Sequence, residues 1–241
     1  MRSRSDTAEK GGSAMLAALE DVMESHGAEL DKEKIHARHD NAGRVMTRCP
    51  VIPVLVIPDL SLARPIAQAL VAGGLTTLEV TLRTECALEA IAEMSKVEGA
   101  HVGAGTVLNG DDLARSVEAG ARFIVSPGLT PEVASAAQRH DVPLLPGIAN
   151  AGDIMRGLDL GLSRFKFFPA MANGGLPALK ALASVFGQVK FCPTGGISEE
   201  NAAEWLAQPA VSCVGGSWLT GGAFDAEAIQ SRAQRASQLK G

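Results

Sequence analysis

Tyrosine is absent from this 241-residue chain, and seven Phe and two Trp supply its large aromatic rings. A core of big interlocking aromatics is therefore excluded, and 26 glycines point instead to small packed faces joined by many tight turns. Cysteine is sparse too. Cys49, Cys86, Cys192 and Cys213 stand apart with no C-x-x-C pair, which argues against a disulfide scaffold or a zinc knuckle and fits a reducing cytoplasm. No stretch approaches the ~18 apolar residues of a membrane span. The polar residues Met1 to Ala14 lack the apolar centre of a secretory signal, so a soluble, cytoplasmic protein is expected. Positive charge is also in short supply. A net charge of -5 argues against a nucleic-acid or anionic-membrane partner, because both need a basic field, whereas a small anion needs only a local site.

What the chain does have is regularity. Residues 1–14 read as a disordered tail and residues 15–49 as a helical extension, with helix-compatible apolar spacing over Met15 to Glu24. His36 and His39 would share a helix face, but no third ligand accompanies them, and a solvated face is expected rather than a metal site. From Pro50 onward a short apolar run, a turn and an amphipathic helix recur eight times. Strands are expected at Pro53 to Ile57, Thr77 to Thr81, His101 to Gly103, Phe123 to Ser126, Pro143 to Pro146, Arg164 to Phe168, Lys190 to Pro193 and Val211 to Gly215. The helices between and after them are expected at Ser61 to Ala72, Cys86 to Lys96, Asp111 to Ala119, Thr130 to His140, Asn150 to Leu160, Gly175 to Phe186, Glu199 to Ala207 and Asp225 to Leu239. Ala72-Gly73-Gly74 and Ala119-Gly120-Ala121 read as helix stops, and Thr130-Pro131-Glu132 and Ser198-Glu199-Glu200 as helix starts. Connections this short require parallel strands with right-handed crossovers. Eight units over residues 50–241 then close into a single (β/α)8 TIM-barrel domain. The competing architecture is a doubly wound open sheet. Its dinucleotide loop would fall at Gly103-Ala104-Gly105-Thr106-Val107-Leu108, where the third glycine is missing.

Within Arg164-Phe165-Lys166-Phe167-Phe168-Pro169-Ala170, a lysine stands alone in an apolar, aromatic run. The two-residue strand period sends Lys166 and Phe168 to one face and Phe165 and Phe167 to the other. A lysine there can simply guard a strand edge or extend its amine to water. Inside a barrel it would instead project into the lumen. On the second strand Glu79, Thr81 and Arg83 share one face and Leu78, Val80 and Leu82 the other. A carboxylate and a guanidinium on the inward register are costly unless paired with each other or used. Gly105-Thr106, Ser126-Pro127-Gly128 and Pro146-Gly147 end the next strands in small residues that leave open space. Thr194-Gly195-Gly196 and Gly215-Gly216-Ser217, after strands seven and eight, suit close approach of backbone N–H groups to a phosphate. An inward lysine, an inward glutamate, a nearby arginine and a phosphate cradle suggest imine chemistry, because burial in apolar surroundings raises the neutral, nucleophilic fraction of a lysine.

Five segments also carry a resemblance: Leu78-Glu79-Val80-Thr81-Leu82-Arg83-Thr84, Val102 to Val107, Phe165 to Ala170, Cys192 to Ile197, and Gly215-Gly216-Ser217-Trp218. In order and spacing the chain from about Pro50 to Lys240 resembles the 2-keto-3-deoxy-6-phosphogluconate (KDPG) and 4-hydroxy-2-oxoglutarate (KHG) aldolases. The resemblance implies a class I, metal-independent lyase of the Entner-Doudoroff pathway that needs no cofactor and is usually a homotrimer of barrels. Its substrate would be 2-dehydro-3-deoxy-6-phosphogluconate, split into pyruvate and glyceraldehyde 3-phosphate. It further implies Lys166 as the Schiff-base lysine and Glu79 as the general acid/base. Arg83 and Thr106 would hold the pyruvate carboxylate, and Gly195, Gly196 and Ser217 the phosphate, with Thr194, Phe168 and Pro127 lining the site. Alternatives are an aldolase for 4-hydroxy-2-oxoglutarate or for 2-dehydro-3-deoxy-6-phosphogalactonate and, from another class, a non-catalytic phospho-sugar-binding barrel. Met171 stands where many members carry an acidic residue, and Asn150 where many carry a hydroxyl.

Overall fold

A computed structural model describes residues 42–239 of the chain. The expected tail over residues 1–14, the helix over Met15 to Glu24 and the His36/His39 pair lie outside the described residues. From Val51 onward the eight units follow one another: β1 (Val51–Leu55), α1 (Ala63–Ala72), β2 (Thr77–Thr81), α2 (Ala87–Met94), β3 (His101–Gly105), α3 (Gly110–Glu118), β4 (Ile124–Ser126), α4 (Pro131–Arg139), β5 (Leu144–Ile148), α5 (Ala151–Asp159), β6 (Arg164–Phe167), α6 (Gly175–Val185), β7 (Lys190–Pro193), α7 (Ala202–Leu206), β8 (Val214–Gly216) and α8 (Ala226–Ser237). Neighbouring strands pair in parallel from β7 back to β1 and on to β8. Parallel bridges Phe191↔Val211 and Thr194↔Gly215 bring β8 round to β7, so the sheet curls into the expected (β/α)8 barrel.

Strand parity divides the interior into two layers. Leu78, Val80, Val102, Ala104, Ile124, Phe165, Phe167 and Phe191 point outward and pack with helix residues such as Ala67, Leu70, Ile91 and Leu113 in one continuous core. Full burial of such a side chain contributes about 1.5–3 kcal/mol, so this shell of aliphatic and phenylalanine side chains is where the fold gains most of its stability. Alternate residues point into the lumen. Ile52, Phe123, Val125, Leu145, Cys192 and Cys213 form a second apolar cluster there, joined by Val45 and Met46 of the helical residues 42–47. The end of the expected extension thus plugs the barrel at the N-terminal ends of its strands. Phe123 seals this floor further: a Cβ on Gly103 would lie 2.5 Å from its ring, so the glycine is the space the ring occupies. With these apolar side chains filling the lower lumen, Glu79 and Lys166 meet above them.

Local chemistry sets the helix starts. Asn109, Thr130, Asn150 and Asp225 each accept a hydrogen bond from the backbone N–H three residues on, satisfying donors the first turn cannot pair. Several expected boundaries move. Strand one begins at Val51 rather than Pro53, and β8 covers Val214–Gly216 while Val211 makes only an isolated bridge. Strand β6 stops at Phe167 rather than Phe168, because Pro169 has no N–H to continue the ladder. The start expected at Ser198 is also displaced. Asn201 precedes α7, accepts the Ser198 N–H at 2.9 Å and donates to the Gly196 carbonyl at 3.0 Å, which holds residues 199–201 in a turn.

Candidate active site

Strands β2 and β6 lie four places apart in an eight-strand ring, hence on opposite walls. Only long side chains can meet across the lumen, and two do: Lys166 Nζ donates to Glu79 Oε1 at 3.1 Å across 87 residues of sequence. Both are buried, at 6% and 3% exposure. Taking two charges out of water costs several kcal/mol that one contact does not fully return. The pair therefore adds little net stability, but it holds an amine and a carboxylate at proton-transfer distance in a water-poor lumen. The Phe168 ring lies 5.2 Å from Nζ, a cation–π contact that closes one side of the amine.

The alternative pairing of Glu79 with Arg83 is not what forms. Arg83 lies beyond the end of β2 on the exposed rim, and its Nε donates to Thr81 Oγ1 at 3.1 Å. Nor do all the small strand ends leave open space. A Cβ on Gly105 would fall 2.2 Å from Glu79 Oε1, so that gap is filled by the carboxylate itself. One on Gly147 would fall 2.0 Å from the Pro127 carbonyl oxygen.

The other candidate residues all follow the C-terminal ends of strands, at the barrel mouth: Thr106 after β3, Pro127 after β4, Phe168 after β6, Thr194, Gly195 and Gly196 after β7, and Ser217 after β8. Thr106 has φ +59°, the left-handed region that a β-branched residue avoids at a cost of about 1–3 kcal/mol, a kind of strain that concentrates at functional sites. Gly195 and Gly196 have φ +100° and +78°. Thr194 is buried, and its side chain occupies the space beside Gly215, where a Cβ would lie 2.3 Å from Oγ1. The loop after Lys166 is fastened to this turn by Ala170 N–H to Thr194 O at 2.8 Å and Met171 N–H to Gly195 O at 3.0 Å.

Sequence reasoning named Met171 only as a departure. In the structure its side chain lies over Gly196, within 2.6 Å of where a Cβ would stand. It also missed Arg232, whose Nη1 donates to the carbonyls of Trp218, Leu219 and Gly221 and so fixes the loop that carries Ser217. An arginine one helix downstream leaves no local signal for that role. Below the ion pair, Cys192 and burial hold the Cys213 thiol well above its usual range, so it stays a protonated, apolar part of the floor. Among the described residues, His, Cys, Asp and Glu form no group of three or more that is able to hold a metal.

Comparison with known proteins settles the family. Residues 43–234 match the family model for aldolases described as KDPG and KHG aldolase. The chain belongs to the KDPG and KHG aldolase family. Among its relatives in this family is the 2-dehydro-3-deoxy-phosphogluconate aldolase of Zymomonas mobilis, 59% identical over 197 residues that cover 81% of this chain and 95% of that protein. The Escherichia coli KHG/KDPG aldolase is 55% identical over 180 residues, covering 74% and 84% respectively. The crystal structure of the Zymomonas KDPG aldolase with 3-phosphoglycerate superposes with a TM-score of 0.82 at 58% identity, covering 83% of this chain and 96% of that one. A KDPG aldolase from Legionella pneumophila, with pyruvate captured as a covalent carbinolamine intermediate, has a TM-score of 0.79 at 46% identity, covering 82% and 98%.

Proposed function

We propose that this chain is a class I aldolase that cleaves 2-dehydro-3-deoxy-6-phosphogluconate to pyruvate and glyceraldehyde 3-phosphate. The observation that carries the reading is the buried contact of Lys166 with Glu79, a nucleophile and its proton acceptor facing each other across the lumen. Lys166 Nζ gives up a proton to Glu79 and attacks the C2 ketone, forming a carbinolamine. Glu79 returns that proton to the C2 hydroxyl of the carbinolamine, and loss of water leaves an imine whose positive nitrogen is an electron sink. Glu79 removes the C4 hydroxyl proton, the C3–C4 electron pair moves into the imine, and glyceraldehyde 3-phosphate departs. The enamine takes a proton at C3 from Glu79, and water then hydrolyses the imine to release pyruvate and the free amine. Arg83 and Thr106 hold the substrate carboxylate. Gly195, Gly196 and Ser217 hold the phosphate, while Thr194, Phe168 and Pro127 line the site between. Support for the imine comes from the Legionella relative with its covalent pyruvate adduct.

A second reading, activity on 4-hydroxy-2-oxoglutarate, is favoured by the joint name of the Escherichia coli relative. Both substrates share Lys166 and Glu79 and differ at the distal end, so the ratio of kcat/KM with and without the phosphate separates them. The enzyme works as a homotrimer in the cytoplasm on this reading. No helix among the described residues is long and apolar enough to cross a membrane, and light scattering tests the trimer.

Incubation with pyruvate followed by borohydride reduction tests the chemistry. The expected result is a stable adduct on the peptide containing Lys166, absent in Lys166→Met. A folded protein that forms no adduct overturns the class I reading.

A further inference from the structure

Arg83 stands on the exposed rim with a long side chain, and an unrestrained guanidinium there samples many rotamers. The structure restrains it twice, and both restraints come from Thr81. The Arg83 backbone N–H donates to the Thr81 carbonyl at 2.8 Å, folding the chain back as β2 ends. Nε donates to Thr81 Oγ1 at 3.1 Å. That hydroxyl is itself oriented: it donates to the Leu55 carbonyl at the end of β1 at 2.7 Å, and Thr81 is almost wholly buried. A hydroxyl has one proton to give, so with it committed to Leu55 a lone pair faces Nε–H. The Leu82 N–H donates to Gly105 O at 2.9 Å, which binds this turn to the end of β3, next to Thr106. Engaging Nε leaves the Nη1/Nη2 edge, the fork that takes a carboxylate in two parallel hydrogen bonds, without a partner among the described residues.

We propose that Thr81 is a positioning residue for substrate binding: its hydroxyl relays the fixed Leu55 carbonyl to Arg83 Nε and thereby aims the Nη edge at the carboxylate of the 2-keto acid. The inference rests on the reading of Arg83 as the carboxylate clamp and adds the element that holds it in place. Two replacements separate the hydroxyl from the methyl: valine matches the shape of threonine without the hydroxyl, and serine keeps the hydroxyl without the methyl.

The test measures the pyruvate concentration that half-saturates borohydride labelling of Lys166, beside kcat and KM for cleavage, in the parent, Thr81→Val, Thr81→Ser, Arg83→Gln and the Thr81→Val/Arg83→Gln double variant. Loss of one hydrogen bond to a charged group predicts about a tenfold rise in half-saturation for Thr81→Val, with full labelling still reached at high pyruvate and kcat changed by less than about threefold. Thr81→Ser is expected within about twofold of the parent, and the double variant no weaker than Arg83→Gln alone. Thr81→Ala replaces the valine variant if that one does not fold. If Arg83→Gln weakens pyruvate binding and Thr81→Val does not, or if Thr81→Ser is as impaired as Thr81→Val, the positioning role is overturned. An Arg83→Gln variant that binds pyruvate like the parent overturns the clamp reading itself, a separate failure.

Discussion

Gly105→Ala probes the candidate site without replacing either proposed catalytic residue. The added methyl would sit 2.2 Å from Glu79 Oε1, 2.7 Å from Cγ and 2.8 Å from Cδ, so the whole carboxyl group has to move. Reaching ordinary contact at 3.4 Å requires a shift of 3.4 − 2.2, about 1.2 Å. A shift of that size takes Oε1 away from the position at which it accepts the 3.1 Å hydrogen bond from Lys166 Nζ. A misplacement of about 1 Å in a reacting group costs roughly 100-fold in rate, and that is the expected fall in kcat for KDPG cleavage. Overpacking a barrel strand costs about 1–3 kcal/mol, so thermal unfolding is measured alongside to show that the variant is folded at the assay temperature. Glu79→Gln supplies the reference. If Gly105 acts only by leaving room for the carboxylate, the double variant is no slower than Glu79→Gln alone. A Gly105→Ala enzyme within about threefold of the parent, or losses that multiply in the double variant, would refute the steric argument.

Three further outcomes are expected. Gly196→Ala puts a side chain at φ +78° and against Met171, and is expected to raise KM for the phosphorylated substrate about tenfold while hardly affecting a substrate without phosphate. Gly157→Ala on α5 drives a methyl to 2.4 Å from the Phe165 ring on the outer face of β6, and should lower stability by about 1–3 kcal/mol in a denaturant titration with kinetic constants unchanged. His101, stacked on Phe123 at 5.5 Å, is pulled down to about 4 by partial burial and by the Arg48 and Arg122 charges. The folded protein therefore favours its neutral form, so its contribution to stability is complete above the ordinary value of 6.5 and is lost as pH falls from 6.5 toward 4. Solvent screening of the half-exposed ring limits that loss to about 1–2 kcal/mol, and a His101→Gln variant should lack it in unfolding measurements between pH 6.5 and 5.

The fold was legible because its signals are local. Recurrent strand, turn and helix patterns and the caps at Thr130, Asn150 and Asp225 each act over a few residues, and the parity of Leu78-Glu79-Val80-Thr81 already assigns its members to lumen or shell. Ends were less legible where tertiary contacts decide them. Asn201 takes the Ser198 N–H and shortens α7, and strand eight begins only where it can pair with Val51.

Sequence alone therefore determined the eight-fold alternation, the inward register of Glu79 and Lys166, and the family whose motifs these are, since period, punctuation and motif order are written along the chain. It did not determine what Glu79 faces. Arg83 is four residues away and Lys166 is 87, yet the carboxylate pairs with Lys166, because closing the ring sets β2 opposite β6 while the turn after β2 takes Arg83 back to Thr81. The same closure converts Gly105 from a gap into the seat of a carboxylate. Such contacts depend on barrel curvature, and curvature exists only once all eight strands have paired.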